Sequence, residues 1–392
     1  MDIIDKFAAM VGSGIQFAPE KCVRRVDRSA GCDRCAAVCP TGAIRVGRDV
    51  AHNPERCVKC GLCLSTCPTG AFEGDDGRAS LLAHVVSLVG QGSARTLELV
   101  CKYHPTGAVG PGEASGVLRL SGCLGTLSPS AFVAMVTLGA QTISLRLDRC
   151  QNCPLGDASG GIRESVLAAR RLLDALGEPG HLELVTGVED AGGWQPRPVR
   201  DAGAPVISRR GLLGAQAEGS PQAVGQALAA DGASRSGAPR ERQRLLLALK
   251  RLPAVRGDLP AGAGFTRLEA SGACTACGLC ADVCATGALR MLKNDEETYY
   301  LVFRAGACVD CGVCLTYCEP GALSAAGAPS LDALLQDDPV ILATGSLHVC
   351  QKCGVRFAGP EGSQWCPVCD FRLKNPFGSR RPEGSQRLAR RT

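Results

Sequence analysis

Four cysteines with a following proline, Cys57, Cys60, Cys63, Cys67 and Pro68, read C-x2-C-x2-C-x3-C-P. Three thiolates two residues apart on a tightly curled loop can reach three irons of one cubane. The fourth, three residues further on and heading a short helix, points away and ligates a second cluster. The motif therefore requires a partner. Cys22, Cys32, Cys35 and Cys39 supply one, with nine residues instead of two between the first pair. Loop-closure entropy grows slowly with length, so the longer first loop is tolerable. The crossing predicts one [4Fe–4S] site from Cys22, Cys32, Cys35 and Cys67, and another from Cys57, Cys60, Cys63 and Cys39. Cys22 is the ligand the spacing supports least; without it the first site has three cysteines and either a non-cysteine ligand or a missing iron. Pro-Thr-Gly-Ala follows both Cys39 and Cys67, which marks an internal repeat.

The same spacing returns near the other end of the chain. Cys274, Cys277, Cys280 and Cys284 form one regular motif, and Cys308, Cys311, Cys314 and Cys318 another. Ala285 and Glu319 occupy the places of the prolines. Crossing groups Cys274, Cys277, Cys280 with Cys318, and Cys308, Cys311, Cys314 with Cys284. Residues 22–73 resemble a bacterial dicluster ferredoxin, and 274–318 repeat that pattern. The resemblance implies a small α+β unit with pseudo-twofold symmetry, whose two cubanes exchange electrons.

Two further knuckles, Cys350/Cys353 and Cys366/Cys369, are separated by twelve residues. Four convergent thiolates make a closed tetrahedral site, with zinc the default ion. The knuckles also resemble the rubredoxin-like tail of rubrerythrin, which implies one iron, and donor type alone does not separate the two metals. His348 precedes the first knuckle and reads as a supporting or solvated residue.

The elements between these motifs change character. Segments ending at Cys101 and Cys123, and Thr142–Leu147 running to Cys150 and Cys153, read as strands. Ser128-Pro129 opens a helix to about Leu138, Glu164–Leu176 is a second helix and His181–Val185 a further strand. Strands alternating with helices imply a small parallel α/β domain, and such sheets bind ligands outside the carboxyl ends of their strands. Val117 to Cys123, the helix ending Leu138-Gly139-Ala140 and the strand to Cys150 resemble the delta subunit of methyl-viologen-reducing hydrogenase. That family also occurs fused to heterodisulfide reductase proteins, and the likeness implies a [2Fe–2S] cluster on Cys101, Cys123, Cys150 and Cys153. His104 stands where the family has a second thiolate and is an alternative ligand. A zinc site or a redox-inactive remnant is the competing reading. His84 and His181 read as structural.

The whole chain is thus expected to be an α+β multidomain protein. Two ferredoxin-like dicluster modules (1–80 and 263–330) flank the α/β domain (81–190), with a flexible linker (191–262), a zinc ribbon (345–375) and a basic tail (376–392). The linker carries one helix, Glu241–Leu252, whose Leu245, Leu246, Leu249 and Leu252 form an apolar face that should pack on a domain. A short amphipathic helix is expected over residues 1–20, from Ile3, Ile4, Phe7, Ala8 and Val11. With aromatics at 4%, small domains bury little core, and thiolate–metal bonds supply folding energy instead. The first residues lack a basic region followed by an apolar run, and no stretch approaches ~18 consecutive apolar residues. Arg209-Arg210 lies mid-chain and is not an export signal. A cytoplasmic, reducing, low-oxygen setting is expected, and a net charge of +5 points to no nucleic acid.

The cysteines divide into sixteen, four and four, leaving none as a nucleophile. No dinucleotide or nucleotide fingerprint follows a strand. The chain reads as a conductor between a low-potential donor and a partner such as a hydrogenase, formate dehydrogenase or similar reductase. Two alternatives stand beside it: a catalytic reductase using a cluster in the α/β domain, and an assembly or regulatory factor docking through the ribbon.

Overall fold

The computed structural model describes residues 14–28, 30–90, 95–104, 109–110, 116–178, 181–187, 195–196, 199–204, 206, 220–229, 237–252, 259, 263–294 and 298–376. The helix expected from Ile3 to Val11, the Arg209-Arg210 pair and the basic tail from 377 onward lie outside these residues. Within 14–20, Gln16–Phe17 is a strand, not a helix end.

This strand, β1, pairs antiparallel with β4 (Phe72–Glu73), and β2 (Ile44–Val46) pairs with β3 (Val50–His52). Between them lie three short helices, α1 (Val23–Val26), α2 (Arg34–Ala37) and α3 (Leu62–Thr66). Their core is small: Ile44, Cys63, Leu64 and Phe72, with the Phe17 and Phe72 rings 5.0 Å apart.

The centre of the molecule is a five-stranded parallel sheet. After helix α4 (Arg78–Gly90) come β5 (Thr96–Val100), β6 (Gly116–Arg119), α5 (Pro129–Thr137), β7 (Thr142–Arg146), α6 (Ser159–Ala175), β8 (His181–Val185) and β9 (Val199–Asp201). The strand order is β9-β6-β5-β7-β8. Leu97, Leu99, Val117, Leu118, Ile143 and Leu145 are fully buried, the near-continuous apolar character of strands covered on both faces. From β5 the sheet grows first through β6 and then, on the other side, through β7. The direction of winding therefore reverses between β5 and β7, the crevice where open α/β sheets take ligands.

The stretch read as a flexible linker is in several places part of this core. Strand β9 pairs with β6, and α7 (Pro221–Ala229) packs on α4, with Gly225 against the backbone of Ala79 and Ala83. Helix α8 (Arg240–Leu249) packs on α5 and buries Leu245, Ala248 and Leu249. Glu241 of α8 lies among buried polar groups. Ser128 and Ser130 donate to its carboxylate, Arg244 Nη1 donates at 2.8 Å and Arg78 Nη1 lies at 3.5 Å. Ser128 holds the N-cap position of α5, but its hydroxyl serves Glu241 and not the helix amides. The leucine spacing over 241–252 announces a helix with an apolar face to pack, but not the polar contacts around Glu241, which are distant in sequence.

The C-terminal part repeats the first architecture and extends it. β10 (Leu268–Ala270), α9 (Leu279–Asp282), β11 (Leu289–Lys293), β12 (Thr298–Phe303), α10 (Val313–Thr316), β13 (Leu323–Ala325) and α11 (Leu331–Gln336) precede a ten-residue strand, β14 (Val340–Val349). β10 pairs with β13. β14 pairs with β12 along one length and with β15 (Arg356–Ala358) along the other, giving the order β11-β12-β14-β15. Helix α12 (Pro367–Lys374) closes the chain. The knuckles at Cys350 and Cys366 are thus tied to the second cysteine-rich module through a shared strand. No helix among the described residues is long and apolar enough to cross a membrane.

Candidate metal centres

Each cysteine loop is curled by its own backbone. Lys59, Ala276 and Asp310, each just before the second cysteine of its motif, have φ of 54°, 53° and 54°. Left-handed non-glycine residues are costly and persist only where the surroundings fix them. Here they turn the loop so that the cysteines face inward together. No described residue between Cys22 and Cys35 is left-handed. The long first loop instead holds Cys22 between two short helical turns, Pro19–Lys21 and α1. After each fourth cysteine the chain turns back tightly: the amides of Gly42, Gly70, Gly287 and Gly321 donate to the carbonyls of Cys39, Cys67, Cys284 and Cys318.

The thiols gather in crossed sets. Cys35 interacts electrostatically with Cys67, Cys32 and Cys22, and Cys63 with Cys60, Cys57 and Cys39. Cys39, Cys57, Cys60 and Cys63 line one apolar cavity. Cys284, Cys308, Cys311 and Cys314 line a second, and Cys274, Cys277, Cys280 and Cys318 a third. Burial, reinforced by neighbouring thiolates, pushes Cys35, Cys280 and Cys314 up to about 12. Cys39 departs from this: burial raises it, but backbone amides of Ile44, Thr41 and Ala43 bring it below the ordinary thiol value. Sites that resist ionising thiol by thiol are stabilised by a cation that all of them share.

The middle cysteines converge at the carboxyl edge of the parallel sheet. Cys101 follows β5, Cys123 follows β6, and Cys150 and Cys153 follow β7. Cys150 interacts with Cys101 and Cys153, while Cys123 interacts with Cys60 ahead of Cys101 and Cys150. Burial carries Cys123 and Cys150 to about 12. His104 is buried and its Nε2 lies 3.3 Å from Asp148 Oδ1, so that nitrogen faces a carboxylate. Arg146 grips Asp148 through Nε and Nη2 at 2.8 and 3.0 Å, and donates from Nη1 to Glu98 at 3.2 Å. Burial raises Asp148, but this guanidinium holds it below the usual carboxylate range. Glu98 is fully buried, and its Oε2 has no hydrogen-bond partner among the described residues. Burial pushes it up to about 7 against the pull of Arg146.

Cys350, Cys353, Cys366 and Cys369 place their sulfurs within 4.8 Å of one another. Cys353 and Cys366 are 3.8 Å apart, the edge of a tetrahedron with metal–sulfur bonds of about 2.3 Å. Cys366 caps α12, its sulfur accepting from the Cys369 amide. Burial works against ionising Cys350, but backbone N–H groups of Cys366, Cys353 and Lys352 bring it down to about 6. Among the described residues no other three or more metal-ligating side chains lie within such a span. The remaining cysteine sets are spread wider than one ion's coordination sphere, as a polynuclear centre requires.

Two stretches of the chain, residues 30–71 and 273–322, match the 4Fe-4S dicluster domain. These domains indicate [4Fe–4S] clusters and, with the C-terminal four-cysteine group, iron–sulfur electron transfer. The first match begins after Cys22, at the point where the spacing returns to the regular pattern. Neither the curated proteins nor the solved structures include a match to the chain.

Sequence reasoning missed the contact between the first module and the α/β domain. A Cβ on Gly61 would collide with Thr126 Cγ2, and one on Gly125 would lie 3.0 Å from the Cys60 carbonyl oxygen. The Cys60 and Cys123 loops therefore meet through their glycines, Gly61 against Thr126 and Gly125 against Leu62 and the Cys60 carbonyl. Ser65 Oγ, donating to the Gly125 carbonyl at 2.9 Å, secures the contact. Also missed were Glu98 and Arg146, although a charged residue inside each of two apolar strand runs was the available signal.

Proposed function

We propose that the chain is an iron–sulfur electron-transfer protein or subunit. Its two modules hold four [4Fe–4S] clusters in the crossed sets, Cys101, Cys123, Cys150 and Cys153 hold a [2Fe–2S] cluster, and the C-terminal four cysteines hold zinc. These clusters supply one-electron chemistry without proton transfer. The chain's own residues curl the loops, turn amides toward sulfur and exclude water with apolar walls, which together set each potential. The partners are a low-potential donor and an oxidoreductase such as a hydrogenase, formate dehydrogenase or similar reductase.

The observation that carries the reading is the meeting of Cys60 and Cys123. Each of the five sets assigned to clusters has a neighbour: Cys35 interacts with Cys63 inside the first module, Cys314 with Cys280 inside the second, and Cys60 with Cys123 between module and sheet. A store of unconnected structural metals has no reason for this pairing. The test is anaerobic metal and sulfide analysis of the protein. About sixteen irons are expected from four cubanes and about eighteen with the middle centre, with one zinc per chain. Near-zero iron with stoichiometric zinc sinks the reading.

A further inference from the structure

The two modules are docked on the same short segment, which runs into α8. On one side, a Cβ on Gly70, in the turn after Cys67, would lie 3.8 Å from the Arg240 nitrogen and 3.9 Å from Pro239 Cβ. On the other, a Cβ on Gly237 would lie 3.0 Å from the carbonyl oxygen of Thr286, in the turn after Cys284. Residues 237–240 therefore lie between the turn that follows Cys67 and the turn that follows Cys284. Cys284 belongs to the set with Cys308, Cys311 and Cys314, and this is the C-terminal set that faces the N-terminal module.

Arg242 is the next cation along this segment. Its guanidinium carbon lies 3.7 Å over the Phe265 ring, and Nη2 donates to the Gly264 carbonyl, so the side chain has one fixed position. Leu246, one turn on and on the same face of α8, meets Gly306 just before Cys308, at 3.3 Å from where its Cβ would stand. Thr266, next to Phe265, lines the cavity formed with Cys284, Cys308, Cys311 and Cys314, so the charge stands beside that cavity and interacts electrostatically with Cys308 and Asp310. A guanidinium stacked on an aromatic face is weakly hydrated and keeps its charge, so little water lies there to screen it.

We infer that Arg242 sets the reduction potential of the Cys284, Cys308, Cys311 and Cys314 centre, and so biases how electrons divide across the junction between the modules. The inference rests on the electron-transfer reading. Each one-electron reduction adds one negative charge at that centre and none at Arg242, so a fixed cation there favours the reduced form and raises the potential. Asp310 lies on the opposite side of the balance and is exposed, so its effect is opposite in sign and smaller.

The test is an EPR-monitored redox titration of the iron-loaded full chain and of Arg242→Gln, Arg242→Lys and Asp310→Asn. In Arg242→Gln, one [4Fe–4S] midpoint moves down by about tenfold in its reduced-to-oxidised ratio, about 59 mV for one electron, and the others stay. Arg242→Lys retains most of the original value, and Asp310→Asn moves the same midpoint up by a smaller amount. Unchanged midpoints at full iron content overturn the inference. So does iron loss confined to the Arg242 variants, which makes the residue structural, or a shift of equal size and sign in all three. Absence of iron from the unsubstituted protein is a different result and counts against the electron-transfer reading itself.

Discussion

Glu98 shows what a buried charge costs when its partner satisfies only half of it. Arg146 reaches one oxygen, the other is left without a partner among the described residues, and desolvation raises the carboxyl from 4.5 to about 7. The folded form then binds a proton between these values that the unfolded chain has already released. Stability contributed at this site is present at low pH and falls as pH rises from about 4.5 to about 7. Glu98→Gln removes that slope. The gain at pH 7.5 is at most about 3 kcal/mol, since each tenfold change in proton affinity is worth about 1.36 kcal/mol and weakening the Arg146 ion pair offsets part of it. Melting temperature measured against pH for both proteins checks this; parallel curves would show that Arg146 fully compensates Glu98. The cysteines were legible at this scale because a metal cluster constrains residue type and spacing within a dozen residues. Glu98 and Arg146 were not, because their meaning lies in a pairing across two strands 48 positions apart.

At the scale of elements, the decisive feature is a loop packed on a loop. α3 begins at Gly61, left-handed at φ 80°, and its first turn is seated on the Leu124–Thr126 turn that follows Cys123. Gly125 leaves no room for a side chain, since a Cβ there falls 2.9 Å from Leu62 Cγ and 3.0 Å from the Cys60 oxygen. Gly125→Val forces the loops apart. The expected cost is about 1–3 kcal/mol of overpacking, seen as a lower melting temperature, with iron content retained. Magnetic interaction between the Cys60 and Cys123 centres, read by EPR, weakens in the same variant. An unchanged spectrum would mean that the two centres do not communicate through this contact. The strands and helices around it followed well from the sequence, because parallel strands buried on both faces are apolar throughout. The seating of one loop on another did not follow, since glycine in a cysteine loop is needed for the turn whether or not a neighbour arrives.

At the scale of the molecule, the C-terminal four-cysteine unit and the second module share β14. Its first half pairs with β12, and its second half with β15, whose Ala358 amide also bonds the Thr275 carbonyl beside Cys274. Cys366→Ser is therefore expected to remove the C-terminal metal and leave the cubane iron intact, because the shared strand persists. Truncation before Val340 strips β12 of a neighbour, and iron in the second module falls with it. Parallel zinc and iron analysis of the two variants checks this, and equal iron in both would show the module to be self-sufficient. The buried Glu241 cluster likewise ties α8 into the core beyond what its leucine face announced, so the modules are held to one another by a helix within a stretch of linker-like composition.

The sequence by itself determined that the cysteine pattern is duplicated and that a parallel α/β unit stands between the copies, and it carried the expectation of which thiols group together. Those properties depend on local spacing and periodicity, which a linear chain carries directly. The tertiary structure decided the order of adjacency: the Cys60 loop against Cys123, the turns after Cys67 and Cys284 on either side of Gly237–Arg240, and the four-cysteine unit beside the loop of Cys274. Such neighbours are fixed by packing between residues tens to hundreds of positions apart, where no spacing rule applies. The opening motif, Cys57 to Pro68, is legible as half of a paired site from its spacing, but only the fold reveals that its second cysteine also faces the central sheet.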